Sequence, residues 1–279
     1  MNDTRSKVLI TVDELVRRID AKKTVVLLDV IDELGAAPED RPKIPGALSV
    51  HLATDFSARP TATSGRRPLP DIDAFQVKAR AWGISADSTV VAYDHSTGTQ
   101  ASRAWWTLRW AGVTDVRVLD GGFGAWTSAG HASSSYVATH AERAGDVVLK
   151  AGAMPTISAD EAADLARKSR LFDARARSAY VGEPGKPGTG HIPGAILAAS
   201  GDNIADGKFK SDDDLRARFA GIGADGSAEI GVYCGSGNAA AHAIAAMYAV
   251  GLEPRLYVGS WSHWSADPAR PAATGPEPG

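Results

Sequence analysis

Cys234 is the sole cysteine in a chain of 279 residues, and its neighbours make it a candidate nucleophile. The stretch Glu229-Ile230-Gly231-Val232-Tyr233-Cys234-Gly235-Ser236-Gly237-Asn238-Ala239 reads as a buried strand, a tight loop and a helix start, with an alanine-rich helix running on to Ala249. A thiol at that junction faces backbone N–H groups that have no acceptor inside the helix. It also lies at the positive end of the helix dipole, and both favour thiolate over thiol. A lone cysteine is usually a small buried hydrophobe. Gly235 and Gly237 argue otherwise, because a nest of N–H groups needs close backbone approach and positive φ, and an inert core cysteine needs neither.

The chain offers this thiol no partner for hydrolytic chemistry. His242 lies eight residues further on, so a helical path puts it ~12 Å along the axis, well beyond direct proton transfer. It reads as a helix histidine, and His263 in Ser262-His263-Trp264 reads as a packing residue more than a contact to the site. Cysteine phosphatases carry an arginine six residues after the thiolate, where this chain has Ala240. No motif ties a histidine to Cys234 as in a Cys-His-Asp hydrolase.

The elements that must position Cys234 come from an ordinary globular composition, 44% hydrophobic and 23% charged. The net charge of −3 arises from 30 basic and 33 acidic residues mixed along the chain, which argues against nucleic acid and anionic membranes as partners and leaves any anionic ligand to local cations. One cysteine forms no intrachain disulfide and no multi-thiolate metal site. No stretch approaches the ~20 apolar residues of a membrane span, and the polar Met1–Lys7 leads into no apolar signal region, so a cytoplasmic protein is expected.

Val25–Asp29 reads as a buried parallel strand after a short helix that Thr11 or Asp13 caps. Two further strands, ending at Tyr93 and Leu119, alternate with a tryptophan-rich helix over 101–111 and a short helical piece over 123–126. The second half repeats this order. Leu171-Phe172-Asp173 answers Leu27-Leu28-Asp29, Ile192-Pro193-Gly194-Ala195 answers Ile44-Pro45-Gly46-Ala47, and Gly221-Ile222-Gly223-Ala224-Asp225 answers Gly83-Ile84-Ser85-Ala86-Asp87. Tyr233-Cys234 answers Tyr93-Asp94, and Gly259-Ser260-Trp261 answers Gly121-Gly122-Phe123. All pairs stand roughly 140 positions apart in the same order, which implies a duplicated α/β domain. Alternating strands and helices predict a mostly parallel sheet in each copy with helices on both faces, and ligands at the carboxyl ends of strands. The expected boundaries are a first domain over 8–130, a linker over 131–154, a second domain over 155–267 and a mobile proline-rich tail over 268–279. The first copy carries Asp94-His95-Ser96-Thr97-Gly98 where the second carries the cysteine loop, so only the second is catalytic.

Two tandem copies, Ile-Pro-Gly-Ala turns, Asp120-Gly121-Gly122, Gly259-Ser260-Trp261 and a single cysteine on a short loop resemble the two-domain rhodanese family of sulfurtransferases over about residues 8–267. The resemblance implies that Cys234 takes a sulfur from a donor as a persulfide and passes it to a thiophile. The expected donor is thiosulfate or 3-mercaptopyruvate, and the expected acceptor cyanide or a thiol, with a thioredoxin-like reductant among the partners. No cofactor and no metal is expected. The alternative is a non-catalytic persulfide carrier or a regulatory binding module.

Cys234-Gly235-Ser236-Gly237 matches the loop of the mercaptopyruvate-using branch, while Asn238 and Ala239 depart from it. The arginines with which that branch grips a carboxylate have no clear counterparts. Asp173-Ala174-Arg175 is present, but Ala179 precedes Tyr180 where an arginine is expected. Arg175 and Arg177 are therefore candidate substrate-binding residues, as are Arg66 and Arg67, which lie where the branch offers a histidine and read equally well as a solvated basic turn. His51 aligns with an aspartate that helps to activate the loop serine.

Overall fold

The apolar run beginning at Val25 becomes the centre of a parallel sheet, and the same arrangement is built twice. The computed structural model describes residues 3–32 and 41–279. The chain divides into a unit comprising Met1–Ala58, Leu69–Met154 and Asp206–Phe209, and a second comprising Arg59–Pro68, Pro155–Ala205 and Lys210–Gly279.

The first unit contains α1 (Asp3–Ser6), β1 (Leu9–Ile10), α2 (Val12–Asp20), β2 (Val25–Ile31), β3 (Leu48–His51), α3 (Leu52–Asp55), α4 (Ile72–Ala81), β4 (Thr89–Tyr93), α5 (Thr99–Trp110), β5 (Val116–Leu119) and α6 (Gly122–Ser128). Thr11 caps α2 by accepting the Glu14 N–H at 3.2 Å. The strands run parallel in the order β1-β5-β4-β2-β3. Side chains alternate across a strand. Leu27, Val91, Tyr93 and Leu119 therefore share one face, where they pack with Val12 and Leu15 of α2 and with Phe123 and Trp126 of α6. The alternate residues Leu28, Val90, Ala92 and Val118 are buried on the other face, and α5 packs against β2, β4 and β5.

The second unit follows with α7 (Ala159–Arg167), β6 (Leu171–Asp173), α8 (Arg177–Val181), β7 (Ile196–Leu197) and a single 3-10 turn at Ser200–Asn203. The short strand β8 (Ile204–Ala205) comes next; β9 (Lys208–Phe209) groups with the first unit, and the second resumes with α9 (Asp212–Gly221), β10 (Gly231–Tyr233), α10 (Asn238–Ala249), β11 (Arg255–Leu256) and α11 (Ser260–Trp264). Its sheet is parallel in the order β11-β10-β6-β7, and Thr156 bridges Leu256 where β1 lies in the first unit. The duplication extends to single hydrogen bonds. The Tyr93 hydroxyl accepts the Ile44 N–H at 3.0 Å, and the Tyr233 hydroxyl accepts the Ile192 N–H at 3.1 Å, so each Ile-Pro-Gly-Ala turn is pinned to the strand that carries its loop.

Three segments differ from the expected boundaries. Residues 131–154 are not a loose spacer, because they bind the first unit through Ser134 with Lys43, Ser49 with Ala138 and Lys150 with Ala111. Arg59–Pro68 groups with the second unit although it interrupts the first in sequence. The proline-rich tail, expected to be mobile, is tied down by backbone bonds that composition does not reveal: Ala273 pairs with His191 in both directions, Gly275 donates to Val181 and Gly194 donates to Pro278. No helix among the described residues is long and apolar enough to cross a membrane.

Candidate active site

β10 delivers Cys234 to the carboxyl edge of the second sheet, and the two flanking glycines have different tasks. Gly237 has φ +95° and caps α10, a backbone conformation that side chains strain. Its N–H donates to Cys234 Sγ at 3.0 Å. Gly235 has no positive φ; it makes room, since a Cβ there would stand 3.2 Å from Arg66 Nη2. The first intrahelical bond of α10 runs from Ala241 to Gly237 at 3.0 Å, so the amides of its first turn precede the hydrogen-bonded ladder, as at any helix N-terminus. Cys234 is 2% exposed.

The loop is held from behind by the start of α11. Ser260 Oγ accepts the Cys234 N–H at 3.2 Å and donates to the Tyr257 carbonyl at 2.9 Å. The Trp261 N–H donates to the Cys234 carbonyl at 2.8 Å, and the Ser262 N–H to the Gly235 carbonyl at 3.0 Å. Ser260 adopts φ +52°, uncommon for a residue with a side chain, and this conformation aims its hydroxyl at the cysteine. The sequence marks Gly259-Ser260-Trp261 as a motif but gives no task to Ser260 or to Ser262 beyond it. His263 packs locally, sharing a 2.7 Å hydrogen bond between its Nδ1 and the Tyr257 hydroxyl.

The first repeat shows what such a loop accepts. Asp94 occupies the cysteine position, and its carboxylate takes the N–H groups of Ser96 at 2.8 Å, Gly98 at 3.0 Å, Gln100 at 2.9 Å and Ala101 at 3.0 Å, together with the Ser96 hydroxyl at 3.0 Å. A cradle of amides at a helix N-terminus is thus filled by a built-in anion in one unit and presents a thiol in the other.

The candidate cations are placed unequally. Arg175, expected to meet a donor, is already committed: Nε reaches both Asp173 oxygens at 3.0 Å, and Nη2 reaches Asp173 Oδ2 at 2.5 Å and the Gly190 carbonyl at 2.7 Å. The guanidinium also lies over the rings of Trp261 at 4.8 Å and Tyr233 at 5.7 Å. Burial works against its charge, and the Asp173 carboxylate overturns that, leaving Arg175 above its ordinary pKa. Burial and the same carboxylate push the Tyr233 hydroxyl up, so it stays a neutral acceptor. Arg177 is exposed at the start of α8, Arg66 is exposed and Arg67 half-buried. Arg66 meets the site directly, through its N–H to Ser262 Oγ at 3.0 Å and its guanidinium beside Gly235. His51 ends β3 in the first unit, where its N–H donates to Asp55 Oδ2 at 2.7 Å. Among the described residues no group of three or more His, Cys, Asp or Glu could hold a metal ion.

The chain is similar to known proteins over most of its length. The rhodanese-like domain profile matches residues 11–129 and 158–267. A Mycobacterium tuberculosis protein named "Putative thiosulfate sulfurtransferase SseB" is 40% identical over 283 residues, covering 97% of this chain and 98% of that one. The 3-mercaptopyruvate sulfurtransferase of Escherichia coli is 31% identical over 255 residues, covering 86% and 89%. The crystal structure of SseA from Escherichia coli, described with the rhodanese fold of 3-mercaptopyruvate sulfotransferases, superposes with a TM-score of 0.77 at 26% identity, covering 91% of this chain and 98% of that one.

Proposed function

The chain belongs to the family built from rhodanese-like domains, and from that membership we propose that it is a sulfurtransferase in which Cys234 carries the sulfur. The supporting observation is a single buried thiol at a strand end, accepting the Gly237 N–H at 3.0 Å in front of the first turn of α10. The Cys234 thiolate attacks the outer sulfur of a small anionic donor. With thiosulfate the S–S bond breaks and its electron pair leaves with sulfite; with 3-mercaptopyruvate the C–S bond breaks and the carbon takes a proton to become pyruvate. The product on the enzyme is a Cys234 persulfide, whose outer sulfur then goes to cyanide or a thiol and returns Cys234 as thiolate, a ping-pong cycle. The loop amides favour both steps, because they hold negative sulfur without having to reorganise.

Ser236 lines the loop with a hydroxyl that hydrogen-bonds the donor or relays a proton, and Asn238 sets an amide at the rim. Arg66 is the cation we assign to the donor's anionic end, with Arg67 and Arg177 behind it; His51 is tested by His51→Ala. A thioredoxin-like thiol protein in the cytoplasm fits the acceptor role.

Thiocyanate formation from each donor tests the reading: wild type turns over at least one of them, and Cys234→Ser none. Equal product from both proteins overturns it. Mass spectrometry after donor exposure identifies a carrier instead, which gains about 32 Da, one sulfur atom, and does not release it to cyanide.

A further inference from the structure

Arg59–Pro68 is contributed by the first repeat in sequence yet belongs to the catalytic unit in space. It is seated by contacts that leave little freedom. Gly65 has φ +76°, and a Cβ on it would stand 2.6 Å from the Gly259 carbonyl oxygen and 3.1 Å from Ser262 Oγ. The backbone therefore lies directly on the start of α11, as only glycine permits. The next residue, Arg66, donates its N–H to Ser262 Oγ at 3.0 Å. Ser262 also donates its own N–H to the Gly235 carbonyl at 3.0 Å and its hydroxyl to the Gly259 carbonyl at 3.0 Å. One serine thus joins the segment, the cysteine loop and α11. Arg66 has no ion pair with any described residue, and its Nη2 lies over the bare Cα of Gly235.

We infer that Ser262 is a positioning residue that seats Arg66 over the cysteine loop. The Arg59–Pro68 segment thereby becomes the part of the site that selects donors with an anionic oxygen on the leaving group. This rests on the sulfurtransferase reading above and adds the residue pair that governs donor binding. Gly235 leaves that approach open, since a Cβ on it would stand 3.2 Å from Arg66 Nη2 and push the guanidinium back by a few tenths of an ångström. A guanidinium held there forms charge-assisted hydrogen bonds to sulfonate or carboxylate oxygens. The backbone bond to Ser262 fixes where its stem begins, which lowers the entropy lost when it closes on a donor.

The test is steady-state kinetics of the full chain with thiosulfate and with 3-mercaptopyruvate, on Arg66→Ala, Ser262→Ala, Ser262→Thr and the double variant Arg66→Ala with Ser262→Ala. Loss of one charge-assisted contact is expected to raise the donor KM of Arg66→Ala about 10- to 100-fold with kcat changed less. Ser262→Ala raises KM in the same direction, Ser262→Thr restores it, and the double variant is no worse than Arg66→Ala. A Ser262→Ala variant with unchanged KM, or losses that multiply in the double variant, overturns the inference. A wild type that forms no Cys234 persulfide from either donor defeats the underlying reading. A wild type that forms it while Arg66→Ala keeps its KM defeats this inference alone.

Discussion

The backbone N–H of Gly98 donates to Oδ1 of Asp94 at 3.0 Å, the first repeat's version of the bond from Gly237 to Cys234 Sγ. Each acceptor ends a central parallel strand, and each donor is the glycine that caps the following helix in a left-handed conformation. The loop is one residue shorter in the second unit, and the side chain inside it is a thiol instead of a carboxylate. The two repeats therefore differ in the length of the loop and in the side chain that fills it, and share the glycine N–H aimed at that side chain.

Removing the built-in anion should expose that cradle. Asp94→Ala leaves buried N–H groups of the first unit without their acceptor, which costs roughly 2–3 kcal/mol of stability. Sulfate should restore part of the loss by occupying the vacated loop, beyond the general stabilisation that the salt gives wild type. Urea unfolding of both proteins in chloride and in sulfate measures this. Equal stability in chloride would show that the carboxylate does not support the loop.

Much of this was legible in sequence, and the reasons are local. Cys234 stood out because an apolar run stops at it and two glycines follow, and the repeat stood out because turn chemistry recurs in order. In sequence Asp94 marks only the absence of a cysteine from the first copy, since nothing in Asp94-His95-Ser96 states that five donors converge on one side chain. Arg175 looked like a free cation because its partner, Asp173, is identified by burial and not by pattern. Arg66 beside Gly235, and the tail held by backbone bonds at Ala273 and Gly275, are tertiary facts that no local period encodes.

His95 gives the first unit a pH-dependent stability. It stacks on Phe123 with ring centroids 4.3 Å apart and lies 3.6 Å from Asp29 Oδ1. Burial, then the nearby Arg41, pull its pKa down to about 4 from 6.5. The imidazole is neutral when folded and takes a proton when unfolded, so its contribution is complete above about pH 6.5 and is lost as pH falls toward 4. Burial raises the pKa of the adjacent Asp29, which acts in the opposite sense. The comparison is therefore wild type against His95→Gln, and the variant should lose less stability between pH 6.5 and 4. Parallel curves would show that His95 is not held neutral.

The tail should behave as part of the second unit. Besides its backbone bonds, the Trp264 indole N–H donates to the Pro271 carbonyl at 2.8 Å, and Arg270 pairs with Asp160 at 2.8 Å. Both ring nitrogens of buried His191 face carbonyl oxygens, Tyr180 at 2.8 Å and Pro278 at 3.1 Å. Deleting residues 268–279 removes every one of these bonds except that between His191 and Tyr180 and returns chain entropy, for a net loss of about 1–3 kcal/mol. Subtilisin, which attacks accessible alanine-rich chain, should leave Ala272-Ala273-Thr274 intact under native conditions. Rapid clipping there would show a loose tail.

Arg175 and Arg177 are two positions apart and should separate stability from donor binding. Arg175→Ala strips the Asp173 carboxylate, 0% exposed, of the side chain that neutralises it. An uncompensated buried charge of that kind costs about 3–5 kcal/mol. Replacing Asp173 by asparagine in the same protein removes the charge and should return part of the loss, as a net gain over Arg175→Ala alone. Arg177→Ala takes away an exposed side chain and should leave the unfolding midpoint within about 0.5 kcal/mol of wild type. A rise in the KM for 3-mercaptopyruvate in Arg177→Ala then reports donor contact directly, whereas the same rise in Arg175→Ala reports a damaged fold. Chemical denaturation of all three variants beside their kinetics decides the matter. An Arg175→Ala protein as stable as wild type would mean that the ion pair with Asp173 is not what holds that guanidinium in place.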